Sequence, residues 1–260
     1  MSNIICETRG HVLLIGLNRP EKRNAVTPDM YYDMALAWGE LDRNPKLRCG
    51  LLYAVGDHFT AGLDLPLWTD IFKTGTGKGM TPDMLDPYGV NEDKRCSKPV
   101  VMACQGVCYT CGVEMLLACD VRVAAWNLRL AQLEVKRGIF SIGGSTVRLY
   151  QEIGWGNAMK FLLTGEEMSG PEAYRMGLVQ ELVEPGKQFD RALEIAEKIA
   201  QAAPLGVQAS LASARKARIY GDKAAMKTLL DEIKPLMASK DAEEGLRAFI
   251  ERREPHFTGE

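Results

Sequence analysis

The sequence predicts an α/β core followed by a helical C-terminal portion. Two patterns point to it: short apolar runs of strand length alternate with amphipathic helical periods up to about residue 185, and helical periods prevail afterwards. A third observation is the stretch Lys98 to Asp120, KPVVMACQGVCYTCGVEMLLACD. It reads as a buried strand, a small-residue loop turning through Gly106, and an apolar helix starting near Cys111. That helix carries one carboxylate, Glu114, in its first turn. A loop of small residues ending at a helix N-terminus presents unpaired N–H groups and the positive end of the helix dipole.

The elements follow in order. NIICETR and VLLIGLN flank Arg9-Gly10 as a β-hairpin, the second strand being the more apolar. After the polar loop RPEKRNAVT, Thr27-Pro28-Asp29 supplies an N-cap with proline at the first helical position. Apolar residues at 30, 34, 37, 38 and 41 give a helix closing near Asn44-Pro45. Cys49 to Val55 is a strand, and the loop GDHFTAGLDL at its C-terminal end faces the side where α/β folds bind ligands. Pro66 to Ser97 is polar and glycine-containing and reads as a covering loop. Further strands are expected at 120–125, 128–133 and 178–183. Helices are expected after Gly143-Gly144 and at 155–163, 170–176, 188–201, 204–219 and 239–252. The division expected is a core over 1–185 and a helical region over 186–260.

Composition excludes several functions. The chain has 260 residues, 25% of them charged, and a formal net charge of -2, so it carries no basic footprint for nucleic acid. No apolar run approaches the roughly 20 residues that span a bilayer, and MSNIICETRG has no signal-peptide pattern, which predicts a cytoplasmic chain without a membrane partner. Seven cysteines, four of them within 104–119, read as buried thiols. Cys104, Cys108 and Cys111 also have the C-x3-C-x2-C spacing of radical S-adenosylmethionine iron–sulfur enzymes, but they fall on a buried strand end and a helix start. His11, His58 and His256 are scattered, so no metal is expected. Gly75 to Gly79 has the glycines of a phosphate loop without its preceding strand, and Ser213 with Lys216 reads as a helix face. Trp68, Met80, Met84 and Tyr88 suit either an acyl tunnel or the core.

The remaining chemical assets are two loops able to offer N–H donors, around Ala61-Gly62 and Cys111-Gly112, and two glutamates, Glu114 and Glu134. Converging N–H groups make an oxyanion hole, and carboxylates beside it can move protons on an adjacent carbon or on water. The same glutamates could equally serve a helix dipole and an ordinary ion pair.

LNRPEKRNA (17–25), HFTAGLDL (58–65), GVCYTCGVEMLLACD (106–120), LEVKRGIFSIGGSTVRL (133–149) and LLTGEEMSGPEAYRMGLVQELV (162–183), in that order, resemble the crotonase superfamily, the enoyl-CoA hydratase/isomerase family. The resemblance implies a crotonase (ClpP-like) spiral of repeated ββα units with a helical C-terminal trimerisation region, in a homotrimer or homohexamer. It implies an acyl-CoA thioester as substrate, with coenzyme A part of that substrate and no separate cofactor. Carried over by motif, the N–H groups of Ala61 and Cys111 hold the thioester oxygen. Lys22, Arg23, Ala25, Gly62, Asp64, Leu65 and Gly112 lie along the coenzyme, Glu114 activates water, and Glu134 protonates C2. The Arg247 to Arg253 segment, with Phe249 and Phe257, resembles the part that completes a neighbour's coenzyme site.

Retention of both glutamates favours hydration of a trans-2-enoyl thioester. Isomerisation, thioester hydrolysis and a non-catalytic acyl-CoA-binding role are the competing readings. Two departures stand out: Thr110-Cys111 where the family has glycines, and Phe140-Ser141-Ile142 where many hydratases have a Pro-Gly turn. Ile142 stands where dienoyl-CoA isomerases of the family carry aspartate.

Overall fold

A computed structural model describes residues 3–260. Strand β1 (Ile4–Arg9) pairs antiparallel with β2 (Val12–Leu17), and β3 (Cys49–Ala54), β4 (Val100–Cys104), β6 (Val121–Ala125) and β9 (Glu181–Val183) follow in parallel. A smaller sheet runs β5 (Val107–Tyr109), β7 (Arg129–Ala131), β8 (Met168–Ser169). Each turn of the chain from β4 onward therefore gives one strand to each sheet.

The large sheet is buried on both faces, which is why its central strands are continuously apolar rather than alternating. Period 2 still sorts their side chains. Leu13, Ile15, Leu17, Leu52 and Met102 face one core with Met30, Met34, Trp38 and Leu41 of helix α1 (Pro28–Arg43). Val12, Leu14, Leu51, Val101 and Val123 face the other, against Ala192, Leu193, Ala196 and Ala200 of α7 (Gln188–Gln201). Helix α1 begins as its sequence requires, with the Thr27 hydroxyl accepting from the Met30 N–H at 3.2 Å and Pro28 at the first position.

Three expectations need correction. The proposed boundary at 185/186 cuts α7 away from the sheet whose second face it covers; the helices that stand off the sheet begin with α8 (Pro204–Tyr220). The 66–97 segment is not wholly a loop, because Leu65–Thr74 forms helix α2, with Pro66 in its first turn and Gly75 closing it in the left-handed conformation. Trp68 anchors it: its indole N–H donates to the Val26 carbonyl at 2.8 Å and its ring stacks on Phe72. The third is the strand placed at 128–133, which stops at Ala131, Glu134–Arg137 being a 3-10 turn.

Helices α3 (Cys111–Ala118), α4 (Ser145–Ile153), α5 (Trp155–Thr164) and α6 (Gly170–Arg175) complete the core. Beyond α8 come α9 (Asp222–Met226), α10 (Leu229–Met237) and α11 (Lys240–Glu251). This region is tied to the core by Arg215, which donates to the Cys96 carbonyl at 2.6 Å and to Asp120 at 3.1 Å, and by the Arg218–Glu152 pair at 2.9 Å. Lys216 clasps Glu232 across α8 and α10. Among the described residues no helix is long and apolar enough to cross a membrane.

Candidate active site

The site forms where the loop after β3 runs alongside the start of β5. Thr60 bridges Cys108, with the Thr60 N–H donating to the Val107 carbonyl at 3.0 Å and the Tyr109 N–H to the Thr60 carbonyl at 3.0 Å. This places Ala61-Gly62-Leu63 against Thr110 and Cys111 at the N-terminus of α3. Gly62 is required there: a Cβ on it would lie 2.3 Å from the Thr110 hydroxyl oxygen. Thr110 itself adopts φ 47°, a conformation costly for a branched residue, to turn the chain into the helix.

A cavity of about 450 Å³ opens at this junction, lined by Ala61, Leu63, Leu65, Thr110, Cys111, both Glu114 and Glu134, and by apolar Phe72, Ile139, Phe140 and Ile142. The structure thus brings together the two glutamates and the two loops that the sequence singles out. Glu114 is buried, and its carboxylate accepts the Gly143 N–H at 2.5 Å. Burial first, then the neighbouring Glu134 charge, pushes it up to about 7, against the pull of the Gly143 and Ser145 amides. Only glycine permits this approach, since a Cβ at 143 would fall 2.5 Å from the carboxylate oxygen.

Glu134 sits at the start of the 3-10 turn after β7 and is raised by burial, against its own backbone N–H, the Ser141 hydroxyl and Arg137. With the Gln132 amide oriented from its hydrogen-bond network, its nitrogen donates to both Glu134 oxygens at 3.1 Å and its oxygen accepts from Ser145. Two carboxylates in one apolar cavity, both held above their ordinary range, suit proton transfer near neutral pH.

Of the two expected oxyanion donors, Cys111 is the first residue of α3, and its N–H meets no acceptor among the described residues. Ala61 is corrected: its N–H already donates to the Arg23 carbonyl at 2.9 Å. Two residues on, the Leu63 N–H has no acceptor among the described residues, and Leu63 lines the cavity. Burial keeps the Cys111 side chain a protonated thiol.

The expected coenzyme residues divide. Leu65 lines the cavity, whereas Lys22 and Arg23 are exposed outside its lining, on a loop joined to it by the Ala61 N–H donating to the Arg23 carbonyl. Gly112 is buried against Thr60 and Cys108, where it serves close packing. Asp64 binds Arg19 at 2.8 Å, and Arg19 also donates to the Ala25 carbonyl at 2.9 Å, so the pair clasps two loops. Asn24, which sequence reasoning passed over, is fully buried at φ 53°; its amide donates to the Val55 and His58 carbonyls at 3.0 and 2.9 Å and accepts from the Arg19 N–H at 2.7 Å.

Gln132, Ser141, Gly143 and Ser145 were also missed. Signals existed in the Gly-Gly-Ser ahead of α4 and in the two-residue spacing of Gln132 and Glu134. Trp68 is buried, and Tyr88 packs against the core with its hydroxyl beside the Cys111 thiol. The three clustered cysteines do not converge: among the described residues, no three His, Cys, Asp or Glu side chains gather where a metal ion could be held.

Comparison with known proteins identifies the family. The pattern of the Enoyl-CoA hydratase/isomerase family matches residues 7–260. The chain is 36% identical to the enoyl-CoA hydratase EchA19 of Mycobacterium tuberculosis, over 97% of this chain and 95% of that protein. It is 34% identical to the mevalonyl-coenzyme A hydratase sidH of Aspergillus fumigatus, over 95% and 91%. Among solved structures, a probable enoyl-CoA hydratase/isomerase from Mycobacterium abscessus superposes with a TM-score of 0.95 at 41% identity, covering 99% of each chain. The two-sheet spiral described above is the crotonase fold, and the chain belongs to the enoyl-CoA hydratase/isomerase family.

Proposed function

We propose that this enzyme adds water across the double bond of a trans-2-enoyl coenzyme A thioester. The observation that carries the reading is the pair of buried, raised carboxylates facing one apolar cavity beside the N-terminus of α3. The thioester oxygen accepts from the Cys111 N–H and, in place of Ala61, from the Leu63 N–H. Glu114 in its ionised form takes a proton from water as the oxygen adds to C3, and Glu134 in its acid form delivers a proton to C2. Each fixed donor contributes about 2.7–4 kcal/mol to holding the enolate-like transition state, and each proton-transfer group about 10²–10⁴-fold in rate. Isomerisation needs one carboxylate, and the second is retained here with its own hydrogen-bond support.

Coenzyme A comes as part of the substrate and lies along Lys22 to Ala25 and Leu65, with the Arg19–Asp64 clasp shaping that edge. Two carboxylates and two N–H groups supply every acid, base and oxyanion function hydration requires, so the reaction uses no separate cofactor. The protein works as a homotrimer or homohexamer: Leu230, Met237, Leu246, Phe249 and Ile250 leave large apolar surface on the C-terminal helices. Seven unpaired thiols, six of them buried, suit the reducing cytoplasm.

The test is the ultraviolet loss of the conjugated thioester on mixing with trans-2-enoyl coenzyme A substrates, beside Glu114→Gln and Glu134→Gln. Hydration by the native protein, lost by at least about 10²-fold in both variants, is expected. A native protein that leaves short and long enoyl thioesters unchanged refutes the assignment.

A further inference from the structure

A second cavity, of about 260 Å³, lies beyond Glu134 and Phe140, and both residues line it as well as the catalytic cavity. Its far wall is the face of α5 that carries Trp155, Met159, Leu162 and Leu163. Phe140, Trp155 and Leu163 are 65%, 67% and 70% exposed, so large apolar side chains surround an opening that shares the Glu134–Phe140 wall with the active site.

The polar groups of this chamber are already spoken for. Gln132 and Ser141 turn to the Glu134 carboxylate, which leaves the Thr146 hydroxyl and otherwise hydrocarbon. No lysine, arginine or histidine lines it, so a distal carboxylate or phosphate would find no cation in its walls and would share them with the Glu134 carboxylate. An apolar occupant fits on both counts.

We propose that this chamber receives the distal part of the substrate's acyl group, and that the enzyme prefers 2-enoyl thioesters whose apolar chain or ring system extends past Phe140. The proposal rests on the hydratase reading for its substrate class. The turn Gly138 to Ile142 then sets acyl specificity: Phe140 divides the two cavities, and Ser141 on the same turn holds the acid. The departure of this turn from the Pro-Gly pattern acquires a physical role, because apolar side chains stand where a bare turn would leave polar backbone.

The experiment compares kcat/KM for crotonyl, hexenoyl, octenoyl and decenoyl coenzyme A in the native enzyme, Leu163→Glu and Met159→Trp. Leu163 is mostly exposed, so its replacement leaves the fold intact; crotonyl turnover and sedimentation check both variants. The native enzyme should gain on lengthening, up to about fourfold for each methylene buried. Both variants should keep crotonyl activity within about twofold and lose about tenfold or more on decenoyl.

A native series that is flat or falls beyond crotonyl overturns the chamber, as do variants that lower every substrate equally. A change of oligomeric state in Leu163→Glu with unchanged chain-length dependence also overturns it, marking the patch as a contact between copies. Calorimetry with the matching saturated acyl thioesters reads the chamber without chemistry. A protein that binds longer chains more tightly yet hydrates none refutes the reaction and keeps the chamber, whereas affinity indifferent to chain length refutes the chamber.

Discussion

Glu114 is the residue on which the chemistry and the stability of this protein meet. Its folded carboxyl is raised from 4.5 to about 7, so the native state binds this proton more tightly than the unfolded chain does. Its stabilising contribution is intact below about pH 4.5 and is lost as pH rises through about 7. Glu114→Gln should therefore match the native protein in urea melts near pH 4 and exceed it near pH 8 by up to roughly 3 kcal/mol. In the proposed reaction the same carboxyl must be ionised while Glu134 keeps its proton, so kcat/KM should be bell-shaped in pH, falling on the acid side as Glu114 is protonated and on the alkaline side as Glu134 ionises; a profile with no acid limb would remove Glu114 from the base role. Asn24 makes the opposite case, a buried amide whose work is structural. Asn24→Ala leaves the Val55 and His58 carbonyls and the Arg19 N–H without partners, at an expected cost of about 3 kcal/mol read by denaturant midpoint.

Short elements place these residues, and they explain what the sequence could and could not reveal. Glu114 and Glu134 were legible because a carboxylate in the first turn of an apolar helix, and another at a strand end, are local patterns. That the Ala61 N–H is already taken was not legible, because its bond to the Arg23 carbonyl and the Val26–Leu63 bridge beside it join distant segments that no local spacing reports. Strand β5 and helix α9 escaped notice because three and five residues carry too little periodicity, and Pro235 inside α10 reads as a break. Helix α2 starts without a side-chain cap, and its signals, Pro66 in the first turn and Gly75 at the end, also read as loop punctuation. Trp68→Ala should loosen it, costing about 3 kcal/mol and raising KM for the thioester, because Phe72 from this helix lines the cavity. At the start of α3, Thr110→Gly relieves a left-handed threonine and should raise stability by about 1 kcal/mol, with the urea midpoint as the readout.

Across the whole molecule, the core on both faces of the large sheet was foreseeable from its apolar strands, whereas the reach of α7 beneath it was not, since an amphipathic helix does not announce which sheet it covers. The exposed apolar residues of α10 and α11 make assembly a property to measure: if the proposed homotrimer or homohexamer forms through them, Phe249→Asp with Ile250→Asp shifts sedimentation to the monomer, and an unchanged value refutes that contact. The order of strands carries a last consequence. The large sheet reads β1, β2, β3, β4, β6, β9 from edge to edge, so spatial order is order of synthesis. A chain emerging from the ribosome can lay each new strand beside the one before, without threading between strands already paired. Growth is vectorial, with a single advancing rim, and the Glu181–Val183 strand that finishes it arrives only after both glutamates have been made.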